Sequence, residues 1–138
     1  MGHSYGGYLA WLSAERQPEN WAALVVGSAI SDLPGYMRET APWRLENRRA
    51  EYGDSQDPAY SPLTEVGRLK MPVYLYHGRN DTRVPFAQGE AMEQALRAQS
   101  TPLVWREFPD EGHHLMTPAN RRLLTLEVAS FLQEKLLP

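Results

Sequence analysis

The sequence contains no cysteine. That absence excludes a disulfide framework, a thiolate metal site and a cysteine nucleophile, so stability has to come from packing. Long hydrophobic runs are missing as well. The longest, Trp21 to Ile30, is about ten residues, against the ~20 that span a bilayer. The opening Met1-Gly2-His3-Ser4 has neither a basic n-region nor an apolar h-region, so no secretory signal is expected, and a soluble, cytoplasmic protein without membrane contact follows. Positive charge is scarce too. Fourteen Lys and Arg against 17 Asp and Glu give a formal net charge of −3 with no basic block, which takes nucleic acid off the list of expected partners.

What is present suits one domain. A chain of 138 residues with 42% hydrophobic content can bury roughly two-thirds of its unfolded surface. No repeat or low-complexity tract appears, and the apolar runs alternate in character. Tyr5 to Gln17 carries Tyr8, Leu9, Trp11 and Leu12 at helical spacing and stops before Pro18, which predicts a mostly buried first helix. Ala22–Ile30 and Pro72–His77 read as buried strands, and Pro102–Phe108 as a third strand. Phe86 to Gln99 and Pro118 to Leu137 read as helices, the second with Leu124, Val128, Phe131 and Leu132 on one stripe. Between Asp32 and Leu69 the chain is polar and punctuated by Pro34, Pro42, Pro58 and Pro62. A charged amphipathic helix is expected there from Trp43 to Tyr52, with loop elsewhere. The alternation predicts an α/β fold with a mainly parallel sheet flanked by helices.

Gly2-His3-Ser4-Tyr5-Gly6 fits G-x-S-x-G, in which a serine is lifted on a sharp strand-to-helix turn. Small residues at positions 2 and 6 would allow that turn, and the Tyr5 N–H would then point at a developing oxyanion. Alone the pattern is weak, since glycine-serine clusters occur in plain loops. A serine hydroxyl needs a base, and the base needs an acid to fix its tautomer. Both follow in order: Asp81 lies just past the second strand and His113 just past the third, at C-terminal strand ends where open α/β sheets gather ligands. His77 at a strand end reads as a packed histidine hydrogen-bonded to a backbone carbonyl. Metal binding has little support, because the only histidines close in sequence, His113 and His114, are adjacent rather than at ligand spacing. No cofactor is implied.

The segments GHSYGGY (2–8), SPL (61–63), PVYLYHGRNDTRVP (72–85) and FPDEGHH (108–114), taken in that order, resemble the catalytic domain of the prolyl oligopeptidase family. The resemblance covers nearly the whole chain. It implies a truncated α/β-hydrolase fold with Ser4 as nucleophile, Asp81 as acid, His113 as base and Tyr5 as oxyanion donor. The substrate would be a small ester or a short peptide. On location, His3, Tyr36 and Trp43 are candidate walls of the substrate pocket, and Arg83 is expected to anchor the Asp81 loop through an ion pair. His114 has no expected task.

That family's domain extends well upstream of its serine, so the resemblance also implies a partial catalytic domain over residues 1–138. It would lack the strand feeding the serine turn and the loop giving a second oxyanion donor. Three strands would remain, with an open edge near Ala22–Ile30 that a second copy could complete, as a homo-oligomer and most simply a dimer. The alternative is a catalytically weak or inactive remnant.

Overall fold

In the computed structural model, residues 1–53 and 57–137 are described. Four strands, β1 (Gly2–His3), β2 (Leu24–Gly27), β3 (Val73–Gly78) and β4 (Leu103–Phe108), pair in that order. Every pairing is parallel, as expected for the alternation of strands and helices. Three strands were expected, with the one feeding the serine turn missing and β2 at an open edge; among the described residues there are four, and the fourth feeds that turn and pairs with the end of β2. The addition, β1, is a glycine and a histidine opposite Val26 and Gly27, too short to leave a periodic signal. β2 is shorter than its apolar run. Ser28, at φ 45°, turns the chain out of the sheet after Gly27, and Ala29 and Ile30 are buried beyond it.

The helices are α1 (Tyr5–Arg16), α2 (Leu33–Glu39), α3 (Pro42–Tyr52), α4 (Phe86–Ala98) and α5 (Pro118–Leu136). α2 is a correction, because its stretch was expected to be loop. So are the 3₁₀ turns at Pro58–Tyr60, Pro62–Thr64 and Val66–Arg68. Prolines that read as breaks are starts: Pro34 and Pro42 stand in the first turns of α2 and α3, where a missing N–H costs nothing and a fixed φ is already helical.

Alternation along the strands sorts the core into two faces. Leu24, Val26, Val73 and Leu75 point to one side and meet Trp11 and Ala14 of α1 and Met92 and Leu96 of α4. Val25, Tyr74 and Tyr76 point to the other and meet Val128 and Phe131 of α5. Each fully buried Leu or Val contributes roughly 1.5–3 kcal/mol. Leu9, expected with the buried face of α1, is instead half exposed. A third cluster, with Tyr8, Leu12, Ile30, Leu33, Tyr36, Tyr52 and Val84, joins α1, α2 and α3 above the C-terminal ends of the strands. Because all strands run the same way, residues following β1, β3 and β4 emerge at one edge of the sheet.

Glu15 is an exception inside the core. It is 3% exposed, and its Oε1 has no hydrogen-bond partner among the described residues. Burial, with Glu65 nearby, pushes its carboxyl up to about 8. The folded chain then holds a proton that the unfolded chain releases above its ordinary carboxylate value, so stability falls as pH rises from about 4.5 to about 8 and levels off above. Glu15→Gln should raise the melting temperature more at pH 8 than at pH 5. Equal shifts at both, read by thermal unfolding, would contradict an uptake of this proton.

Candidate active site

β1 ends at His3 and α1 begins at Tyr5, so Ser4 alone makes the turn. It does so at φ 56° and ψ −124°, a region that non-glycine residues occupy at a cost of about 1–3 kcal/mol. Two hydrogen bonds hold it there: its N–H donates to the Gly27 carbonyl at 2.9 Å, and its carbonyl accepts from the Tyr8 N–H at 3.0 Å. A Cβ added at Gly2 would lie 2.2 Å from the Gly6 carbonyl oxygen, and one at Gly7 would lie 2.7 Å from the Ala29 Cβ. At Gly6 it would meet nothing within 4 Å. The steric requirement thus falls on positions 2 and 7, not on 2 and 6. The Tyr5 N–H, first in α1, has no helical carbonyl to donate to and sits beside Ser4 at the positive end of the helix dipole.

Asp81 follows β3, with its side chain fully buried. Its Oδ1 accepts the backbone N–H groups of Arg83 at 2.8 Å and Val84 at 2.9 Å. Its Oδ2 lies 2.8 Å from His113 Nδ1 and 3.3 Å from His77 Nε2. Burial alone would raise this carboxyl. The bonds from His113, His77 and the two backbone N–H groups overcome it and hold Asp81 well below the usual carboxylate range. His77 is buried, with Nε2 3.0 Å from the Val84 carbonyl oxygen.

His113 stands on the loop after β4, and that loop is stitched to its surroundings. Asn80 N–H donates to the Glu111 carbonyl at 2.9 Å, and the Asn80 amide donates to the Pro109 carbonyl at 3.1 Å. Glycine is required at 78, where a Cβ would fall 2.3 Å from the Gly112 carbonyl oxygen. Beyond the histidines, Glu111 accepts from Met116 N–H at 2.7 Å, Thr117 N–H at 3.0 Å and the Asn120 amide at 2.8 Å. Hydrogen bonding from the Thr117 side chain, then from Asn120 and the Met116 N–H, around the start of α5, lowers its carboxyl to about 2. Held so, His113 lies with Nδ1 2.8 Å from Asp81 Oδ2 and Nε2 2.8 Å from Ser4 Oγ. The carboxylate can only accept and the serine has a proton to donate, which fixes Nδ1 as protonated and Nε2 as the acceptor.

A cavity of about 440 Å³ opens at Ser4 and His113 and is walled by Tyr5, Tyr36, Tyr52 and Val84, with Arg48, Glu51 and Arg83 supplying charge. Tyr36 forms part of that wall. Trp43 does not: it is 75% exposed and lines neighbouring cavities with Arg44 and Arg83. His3 lies away from this cavity as well, lining a separate one with Tyr76 and His114. Burial, then the nearby His113 and His114, push its imidazole down to about 4. Arg83 is exposed and makes no side-chain ion pair among the described residues; its backbone N–H, not its guanidinium, secures Asp81. Only the packing of α3 brings Tyr52 to the serine, whereas Val84 belongs to the RVP that follows Asp81 in the sequence.

The sequence pattern of the prolyl oligopeptidase family matches residues 1–137. The chain belongs to that family. Members similar to it include dipeptidyl aminopeptidase BIII of Pseudoxanthomonas mexicana, 30% identical over 97% of this chain and 21% of that protein. The acylamino-acid-releasing enzyme of Rattus norvegicus is 29% identical over 83% of this chain and 17% of its own length. Among solved structures, a puromycin-hydrolyzing peptidase of Mycobacterium tuberculosis superposes with a TM-score of 0.83 at 28% identity, covering 99% of this chain and 21% of that one. Pyrococcus horikoshii acylaminoacyl peptidase superposes at 0.84 with 21% identity, covering 98% and 23%. The fold is the α/β-hydrolase fold. This chain spans about a fifth of the length of these prolyl oligopeptidase relatives.

Proposed function

We propose that the chain carries the reacting centre of a serine hydrolase, with Ser4 as nucleophile, His113 as general base and Asp81 as the acid that orients it. The observation that carries this reading is the His113 ring, placed 2.8 Å from both Ser4 Oγ and Asp81 Oδ2 by loops that follow three different strands. Ser4 Oγ attacks the substrate carbonyl carbon as His113 Nε2 takes its proton. The negative oxygen that forms is stabilised by the Tyr5 N–H, and the protonated His113 then gives its proton to the leaving group. An acyl ester on Ser4 remains, which water hydrolyses with the same base. Suitable substrates are short peptides or small carboxylic esters whose apolar side chain or acyl group seats among Tyr5, Tyr36 and Tyr52. The names of the relatives, which release dipeptides or acylated amino acids, support the peptide side of that range.

The test is labelling with a fluorophosphonate, read by intact mass and by peptide mapping. One adduct per chain, on Ser4 and absent from Ser4→Ala, is the expected result. Absence of an adduct, or equal labelling of Ser4→Ala, would refute the assignment.

A further inference from the structure

We propose that His3, His113 and His114 form a binding site for a zinc-class divalent cation, and that a bound ion switches the hydrolase off by taking the His113 lone pair that Ser4 needs. Parallel strands bring His3, at the end of β1, against the loop after β4, although 110 residues separate it from His113 in the chain. The ring centroids are 5.0 Å apart for His3 and His113, 5.2 Å for His3 and His114, and 4.9 Å for His113 and His114. One ring nitrogen from each residue lies within 4.8 Å of the other two. Some point then lies within about 2.8 Å of all three, and each ring needs to move by less than about 1 Å to reach the usual Zn–N length of 2.0–2.1 Å. Three imidazoles with a fourth position left to water make a donor set that suits zinc and its neighbours rather than magnesium or calcium.

Two further observations point to an ion rather than to ring packing alone. His3 Nε2 is buried and has no hydrogen-bond partner among the described residues, which is uncommon for a buried nitrogen; with Nδ1 donating to the Tyr76 hydroxyl, its lone pair is free for a metal. On two of the three histidines the other ring nitrogen already has a partner that holds the ring in place. His3 Nδ1 lies 3.3 Å from the Tyr76 hydroxyl, and His113 Nδ1 lies 2.8 Å from Asp81. Access is open, since His114 is exposed and a cavity of about 350 Å³ reaches His3 beside Tyr76. The nitrogen that remains for the metal on His113 is Nε2, the atom facing Ser4 Oγ at 2.8 Å. Binding of the ion and activation of the serine are mutually exclusive for that reason.

The inhibitory half of this proposal rests on the hydrolase reading, and the binding half does not, so the experiment has two arms. In the first, zinc is titrated into the metal-free chain in competition with a chromophoric indicator. One ion per chain at micromolar affinity or tighter is expected, weakened at least tenfold in His114→Ala and in His3→Gln. In the second, hydrolysis of p-nitrophenyl butyrate is followed with rising zinc. The wild type loses activity over the same concentrations and recovers with EDTA, whereas His114→Ala, with basal activity unchanged, needs at least tenfold more zinc. Equal zinc affinity in the wild type and both variants overturns the site. One bound ion with an unchanged rate overturns the switch. A chain that hydrolyses nothing even without zinc overturns the hydrolase reading, while the indicator arm still decides the site.

Discussion

Replacing Asp81 with asparagine should lower kcat for p-nitrophenyl butyrate by about 10⁴, with KM little changed. The size of the effect follows from the bonds on each oxygen. Oδ1 accepts two backbone N–H groups, from Arg83 and Val84, and an asparagine keeps its carbonyl oxygen there because its amide nitrogen cannot accept them. The NH₂ group is then forced to face His113 Nδ1, where the carboxylate now lies at 2.8 Å. Nδ1 has to accept, the proton moves to Nε2, and the imidazole presents a donor to Ser4 Oγ in place of a base. The fold should survive, since volume and both backbone bonds are preserved. Initial rates for Asp81→Asn, with Ser4→Ala as background and circular dichroism for folding, check this; a folded variant within tenfold of the wild type would show that Asp81 does not set the tautomer of the base.

Gly2→Ala should cost at least 10² in the rate of labelling or ester hydrolysis while leaving secondary structure in place. The added Cβ would meet the Gly6 carbonyl oxygen at 2.2 Å, the Gly6 carbonyl carbon at 2.4 Å and the Gly7 nitrogen at 2.7 Å, all of them backbone of the first turn of α1. None of these can rotate away. Relief requires α1 to shift relative to β1, and Ser4 is the single residue between them. A displacement of about 1 Å at the reacting atoms is enough for a loss of that order. Gly6→Ala is the matched control, because a Cβ there meets nothing within 4 Å; it should fold and label much as the wild type does. If the two alanine variants behaved alike, the close approach at Gly2 would not be what holds the serine turn.

Chemistry and local pattern coincide along two of the strands. Leu24–Gly27 and Val73–Gly78 are buried along their whole length, so their apolar runs announce them, and the residues just past β3 and β4 are placed by strand direction alone. Elsewhere one residue type has two local meanings. Pro34 sits in a stretch that reads as loop, yet in the first turn of a helix proline meets no penalty, and it is the second residue of α2, just as Pro42 opens the α3 that was expected from Trp43. Gly6 shows the same ambiguity: the motif includes it, but the packing demands glycine at Gly7, against Ala29 and Val26.

By itself the sequence determined the family, the parallel α/β alternation and the order Ser4, Asp81, His113, because these depend on residue type and position along the chain. Only the tertiary structure decided which side chains share a space. It put Tyr52 in the wall of the cavity at Ser4, left Trp43 in solvent, and brought His3 against His113 and His114. A histidine pair without ligand spacing became a three-nitrogen cluster because parallel strands deliver distant residues to one edge of the sheet, and separation along the chain says nothing about distance across that edge.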